Sequence, residues 1–129
     1  MELLLEEITG KVISAYFKVY NSLGYGFLEK VYENALSHEL RTRGLNIKCQ
    51  MPVKVFYDEL QVGFYIADII VEDNLIIEVK AAEALREEHE CQLINYLRAT
   101  DIEVGLLLNF GKKVDFRRKI FQNHLKKSP

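Results

Sequence analysis

Residues 67–80 read ADIIVEDNLIIEVK, with a run of aliphatic and β-branched residues on each side of the polar triplet at 72–74. Such runs are typical of β-strands and the triplet is typical of a turn, so the segment predicts a β-hairpin. Each strand carries one acid among apolar residues, Asp68 on the first and Glu78 on the second. Because burial of an unpaired carboxylate is costly, each acid must be neutralised, hydrogen-bonded or bound to a cation.

The length of the turn decides whether the two acids meet. A two-residue turn leaves the two carboxylates on opposite faces of the sheet. A three-residue turn pairs Val71 with Leu75 and places Asp68 directly opposite Glu78, with side chains that start about 5 Å apart. We predict the three-residue turn because Asn74 tolerates the left-handed conformation that such a loop needs at its last position.

Two opposed carboxylates need positive charge between them. A divalent cation is the natural occupant, and Mg²⁺ takes hard oxygen ligands while it keeps several waters. Such a cation activates water and stabilises charge on a phosphoryl oxygen. Lys80 lies two residues after Glu78, and therefore on the same face, where it can orient a nucleophile or stabilise developing charge. An exposed salt-bridge cluster of Asp68, Glu78 and Lys80 is the structural alternative.

Two amphipathic helices precede the strands. Apolar residues recur at helical spacing up to about Asn21, and Gly24 and Gly26 then interrupt the pattern. A second helix is predicted over residues 27–43, with Gly44 as its C-terminal stop.

The other elements follow from local composition. They are strands at 47–57, 60–71 and 75–80, a helix at 84–99, a buried strand at 104–108 and a basic terminal helix. The order α-α-β-β-β-α-β-α predicts an α/β fold of the α+β type, in which helices flank a mixed β-sheet. Without repeats or linkers, residues 1–129 are predicted to form a single domain.

Composition limits the possible environments and partners. Hydrophobic residues make up 49% of the chain, enough for a core, and a net charge of −2 argues against a surface that coats polyanions generally. No apolar run approaches the roughly 20 residues of a membrane span. The start lacks a secretory signal and the two cysteines suggest no disulfide framework, so we expect a cytoplasmic protein.

The C-terminal segment is strongly basic. It could be a solvated, charged tail helix or a phosphate-contacting edge, and one stretch of sequence does not distinguish the two. Its basic residues are Lys112, Lys113, Arg117, Arg118, Lys119, Lys126 and Lys127.

The pattern Asp68…Glu78-Val79-Lys80 resembles the core of the PD-(D/E)XK nucleases, a restriction-endonuclease-like unit. Residue 67 is alanine instead of the proline of the motif's name, at a position where many members vary. Residues 26–32, GFLEKVY, also match the G-x-x-E-x-x-Y signature of the small GxxExxY proteins. The segments ALSHELRTRG, QLINYLRAT and GLLLNFG are similar to that family as well, so the resemblance covers nearly the whole chain.

This resemblance implies a set of site residues. Asp68 and Glu78 would be metal ligands, the Val79 carbonyl would be a third, and Lys80 would be the catalytic lysine. Glu29 matches an acidic residue that many members carry on the helix before the sheet, where it helps to hold a metal or its water.

Two further positions on the third predicted helix bear on substrate binding. Gln92 and Tyr96 are spaced i, i+4 and face the same way. They resemble the Q-x-x-x-Y motif of recombination-type exonucleases, in which the helix helps to position DNA, although ordinary helix packing explains the pair equally well. Tyr32 could hydrogen-bond and orient Glu29, or could serve core packing alone.

The leading functional hypothesis is a Mg²⁺-dependent nuclease, with Mn²⁺ able to substitute, acting on DNA rather than RNA. One alternative is a nucleic-acid- or protein-binding module that keeps the fold without turnover. Another is a hydrolase for a small phosphorylated substrate, which would need an enclosed pocket. Because the chain is small, a homo-oligomer or a partner protein could complete a path for DNA.

Overall fold

The structure is a computed structural model that describes residues 2–126, without the side chains of residues 2–4. Lys127, part of the basic C-terminal segment, lies outside the described residues. In chain order the elements are α1 (Glu2–Leu23), α2 (Glu29–Thr42), β1 (Ile47–Tyr57), β2 (Leu60–Val71), β3 (Leu75–Lys80), α3 (Glu87–Arg98), β4 (Val104–Phe110), β5 (Val114–Ile120) and a short 3₁₀ turn (Asn123–Leu125).

The five strands form one sheet in the order β1-β2-β3-β4-β5. Every neighbouring pair is antiparallel except β3 and β4, which are parallel and are connected through α3. The predicted mixed sheet flanked by helices is therefore confirmed.

Strand β3 lies at the centre of two hydrophobic cores. Ile77 and Val79 belong to the core that α1 and α2 cover, whereas Ile76 belongs to a second core with Leu93 and Leu97 of α3. Burial on both faces explains why the strand is almost continuously apolar. The one acidic side chain within it, Glu78, is consequently buried as well.

The hairpin turn has the predicted register but not the predicted conformation. Val71 pairs with Leu75, as expected for three intervening residues. The left-handed residues are Glu72 and Asp73, with φ of +52° and +56°, and not Asn74. Side-chain partners stabilise this arrangement, since Glu72 accepts a hydrogen bond from the Asn46 amide at 2.7 Å.

The prediction of a basic terminal helix is wrong, because strand β5 occupies that part of the chain. It pairs antiparallel with β4 over its whole length. Its sequence, VDFRRKI, places Val114, Phe116 and Ile120 two or four residues apart, which is the period of a strand. The basic side chains of this segment therefore lie on a sheet edge, where Lys119 pairs with Glu90 of α3 at 2.6 Å.

Helix α3 begins three residues later than predicted, because residues 81–86 after β3 form an irregular segment with a bend at residues 83–84. The Asn109 side chain accepts a hydrogen bond from the Ala82 amide and donates one to the Ala82 carbonyl oxygen, each at 2.9 Å. The Asn109 side chain thus bonds both polar groups of the Ala82 backbone, and the helix starts five residues further on, at Glu87. No helix within the described part of the chain is both long and apolar enough to span a bilayer.

Candidate active site

The two strands that carry the acids separate at the acids themselves. The β2–β3 ladder ends at Ile69 and Ile77, and continuing its register places Asp68 against Glu78, as predicted. At this point the Val79 amide donates to Asp68 Oδ2 at 2.8 Å instead of to a backbone carbonyl. The Asp68 side chain thus takes the place of a backbone partner and holds its own carboxylate beside β3.

The ladder on the other side of Asp68 is also irregular. Cys49 pairs with Ile69 and Met51 pairs with Ala67, but Gln50, which lies between them, pairs with no residue of β2. Gln50 has a φ of +55°, a left-handed conformation that costs a non-glycine residue about 1–3 kcal/mol. Strand β1 is therefore distorted directly opposite the first acid.

A buried acid on α2 holds the distorted residue in place. Gln50 Nε2 donates a hydrogen bond to Glu33 Oε1, and Lys30 Nζ lies 3.3 Å from the same oxygen. Glu33 is buried, so its carboxylate needs these donors.

Glu78 is the most perturbed acid of the site. Glu78 is only 3% exposed. Burial is the main reason that the pKa of its carboxyl is raised to about 10, and the nearby negative charge of Asp68 raises it further. Its Oε1 atom is buried and makes no hydrogen bond to any described residue. A buried oxygen without a donor, beside a second carboxylate, suits a cation that binds both acids.

Lys80, Gln92 and Tyr96 form a hydrogen-bonded chain beside the acids. Lys80 Nζ donates to Gln92 Oε1 at 3.1 Å, and Gln92 Nε2 donates to the Tyr96 hydroxyl at 2.9 Å. Burial, and then the negative charge of Glu78, raises the pKa of Tyr96 to about 12. The i, i+4 pair on α3 thus lies against Lys80, and Tyr96 keeps its proton at neutral pH.

Glu29 lies apart from the other candidates. It is the first residue of α2 and is exposed. Within residues 2–126, no three acidic, histidine or cysteine side chains come together in a group that could hold a metal, so Glu29 completes no such set with Asp68 and Glu78. The Tyr32 hydroxyl is bonded to the α1–α2 loop, at Gly24 and Phe27, instead of to Glu29.

Sequence reasoning did not identify Glu33 or Gln50. Glu33 lies between Tyr32 and Leu36 on the buried face of α2. A charged residue so close to the apolar side of a helix is the sequence feature that could have indicated its role. Gln50 gives no signal in one sequence, because its conformation depends on the ladder and on Glu33.

Two adjoining depressions run along α3 beside the site. One, of about 440 Å³, is lined by Gln92 and Tyr96 together with the acidic pair Glu87 and Glu88. The other, of about 880 Å³, lies between the β1–β2 hairpin and the end of α3, and Tyr65, Asn95 and Tyr96 line both.

Comparisons with known proteins agree with this arrangement. The sequence profile of the PD-(D/E)XK nuclease superfamily matches residues 6–120. Among solved structures, the one titled "Crystal structure of SSO0001" superposes with a TM-score of 0.55 at 17% identity. That match covers 73% of this chain and 50% of the other, so this chain spans about half the length of that protein.

The structural likeness shows a shared fold alone, because the identity is low. None of the curated proteins matches the chain. The profile match extends from α1 to the end of β5 and includes the opposed acids and the lysine that follows them. Sequence, topology and site geometry thus agree, and the chain belongs to the PD-(D/E)XK nuclease superfamily.

Proposed function

We propose that this protein is a Mg²⁺-dependent nuclease that hydrolyses phosphodiester bonds, in DNA rather than RNA. The observation that carries the proposal is the opposition of Asp68 and Glu78, with one buried Glu78 oxygen that lacks a partner among the described residues. Membership of the superfamily supports a nucleic-acid substrate and a divalent metal in general.

The residues present fit a divalent cation. Asp68 and Glu78 would bind it, with the Val79 carbonyl as a further oxygen ligand, and Mn²⁺ would be accepted in place of Mg²⁺. When bound, the ion supplies Lewis acidity and lowers the pKa of a coordinated water. Because Glu78 holds a proton in the absence of a cation, metal binding would release that proton and strengthen with pH.

Lys80 and α3 would act on the phosphate. Gln92 fixes the Lys80 ammonium beside the acids, where its charge would stabilise the negative charge that develops at phosphorus. Tyr96, protonated at neutral pH, would donate to a phosphate oxygen, and Gln92 would share in substrate positioning. Glu29 enters the proposal on the resemblance alone, as a carboxylate that helps to hold the metal or its water.

The finer assignment is to the GxxExxY proteins. The glycine and the tyrosine of the G-x-x-E-x-x-Y signature support this assignment, because both shape the same loop. Gly26 has a φ of +111°, and the Tyr32 hydroxyl hydrogen-bonds the backbone of the loop that contains Gly26. We also propose that residues 1–129 form one domain that acts in the cytoplasm, with a second copy or a partner protein extending the DNA path. Sedimentation of a monomer at micromolar concentration would exclude the second copy.

A non-catalytic binding module is the second candidate. It is favoured by the small ligand set, since two acids but no third metal-capable side chain come together in the part of the chain that the structure describes.

The test is a cleavage assay on single- and double-stranded DNA and RNA with Mg²⁺ or Mn²⁺. We expect Asp68→Asn and Lys80→Ala to lower the rate by at least 100-fold, roughly the cost of removing one preorganised charge-stabilising group. Asp73→Asn, which removes an exposed acid of the same hairpin, should leave the rate unchanged. Unchanged cleavage in the two site variants would place the activity in a contaminant or at another site.

Calorimetry with Mn²⁺ measures the metal site without requiring activity. Wild type should bind the ion and Glu78→Gln should bind it more weakly. Metal binding without cleavage of any substrate would favour the binding module.

A further inference from the structure

The loop between α1 and α2 exposes three large apolar side chains. Tyr25, Phe27 and Leu28 are 59%, 48% and 80% exposed, within a five-residue loop from Gly24 to Leu28 that we call the apolar loop. Apolar side chains scattered singly over a surface are ordinary, whereas a group of three in one short loop is typical of a surface that binds a partner.

The conformation of the apolar loop is fixed by two glycines and by hydrogen bonds to Tyr32. Gly24 and Gly26 have φ of +69° and +111°, which other residues adopt at a cost. The Tyr32 hydroxyl donates to the Gly24 carbonyl at 2.7 Å and accepts from the Phe27 amide at 3.1 Å. The Tyr32 ring is fully buried and stacks on Phe110 at 4.3 Å. The glycine and tyrosine of the G-x-x-E-x-x-Y signature thus hold the loop in one shape.

A basic turn lies next to the apolar loop. Tyr20 connects the two, because its carbonyl accepts from the Gly24 amide at 2.8 Å and its hydroxyl donates to the Gly111 carbonyl at 2.7 Å. Gly111 begins the β4–β5 turn, which continues with Lys112 and Lys113. Both lysines are exposed, and neither makes an ion pair with a described residue.

Both features lie at the end of the sheet that carries the candidate active site. Strands β3 and β4 are parallel, with Lys80 paired to Asn109, so the basic turn follows β4 where Lys80 ends β3. Glu78 shares a strand face with Ile76, which packs against α3, whereas the apolar loop joins α1 and α2 on the other face of the sheet. A strand in contact with both would have to cross the ends of β3 and β4.

We propose that the apolar loop and the basic turn together bind a nucleic-acid strand with unpaired bases. Aromatic side chains stack on base faces, which are available only where bases are unpaired, and lysines contact the phosphates. Glu29 and Lys30, directly after the loop, carry opposite charges that offset each other. The positive charge that attracts phosphates therefore comes from Lys112 and Lys113 of the basic turn. The inference rests on the proposed nuclease function and specifies its substrate as single-stranded or frayed nucleic acid.

The experiment is fluorescence anisotropy with the full chain in EDTA, which prevents metal-dependent cleavage. The probes are a labelled single-stranded DNA oligonucleotide and the duplex of the same sequence. Tyr25→Ala and Phe27→Ala should each weaken binding of the single strand by about 5- to 150-fold, the range for loss of one base-stacking contact, and should affect the duplex less. Ile120→Ala, at an exposed apolar position on edge strand β5, should change neither affinity.

Thermal unfolding of each variant controls for folding, and Tyr25→Ala is the safer variant because Phe27 packs edge-on against Tyr32. If wild type binds the single strand and both loop variants bind it equally well, the inference is wrong and the loop serves another partner, such as a protein. If the variants weaken single strand and duplex equally, the loop does not read unpaired bases. Failure of wild type to bind either probe would reject the nucleic-acid proposal itself.

Discussion

Glu78 couples the candidate site to the stability of the whole chain. With a pKa of about 10, its carboxyl holds a proton in the folded protein at neutral pH, whereas in the unfolded chain it ionises at about pH 4.3. Between these two pH values the folded state binds more protons than the unfolded state. The free energy of unfolding must therefore fall as pH rises through this window, by up to about 1.4 kcal/mol per pH unit from this group.

This coupling gives a prediction that needs no substrate. In EDTA, the Tm of wild type should fall more steeply from about pH 6 to about pH 9 than the Tm of Glu78→Gln, because glutamine does not titrate. Differential scanning calorimetry at each pH measures both. Mg²⁺ should flatten the wild-type profile, because the cation stabilises the ionised carboxylate. Parallel profiles for the two proteins in EDTA would contradict the buried, protonated state of Glu78.

Single residues differ in how far the sequence reveals them. Asp68 and Glu78 stand out in the sequence because acids within aliphatic strands are unusual, and the register of the three-residue turn places the two acids opposite each other. Gln50 was not identifiable, because its left-handed φ arises only when β1 pairs with β2 and α2 supplies Glu33. A conformation imposed by tertiary contacts leaves no local signal.

At the scale of elements, the sequence predicts well the strands and helices that depend only on their own local residue pattern. The three strands from Ile47 to Lys80 have the predicted bounds, because polar pairs and triplets interrupt strongly β-forming runs. Strand β5 was missed because its charged residues conceal a two-residue alternation, and only the open edge of β4 selects a strand over a helix. The irregular segment before α3 is bonded by Asn109, which lies 27 residues from its partner Ala82 in sequence, so the local pattern around the helix does not reveal this contact.

The left-handed conformation of Gln50 in the β1–β2 hairpin can be tested by its effect on stability. Gln50→Gly removes the side chain but accepts a φ of +55°, whereas Gln50→Val removes the same hydrogen bond and adds a β-branched side chain that resists this conformation. We expect Gln50→Val to be less stable than Gln50→Gly by about 1–3 kcal/mol in urea unfolding. Equal losses would mean that β1 relaxes to a regular ladder without cost.

At the scale of the molecule, three features converge on one end of the sheet. The opposed acids and Lys80 lie there on the α3 side, the apolar loop lies on the α1–α2 side, and the basic turn continues from the end of β4. The chain has 17 basic and 19 acidic residues, so its overall charge does not attract a polyanion. Binding of nucleic acid must then depend on local clusters and on stacking.

This balance predicts a shallow dependence of nucleic-acid affinity on salt. For a single strand, the slope of log K against log salt concentration is about −0.7 for each phosphate neutralised. The double variant Lys112→Ala with Lys113→Ala should therefore flatten the slope by about 1.4, if each lysine contacts one phosphate. Lys11→Ala with Lys48→Ala removes the same charge from α1 and β1, away from the basic turn and from both depressions, and should leave the slope nearly unchanged. Anisotropy titrations over a series of salt concentrations measure all three proteins, and equal flattening by both double variants would show that the net charge, and not the basic turn, governs binding.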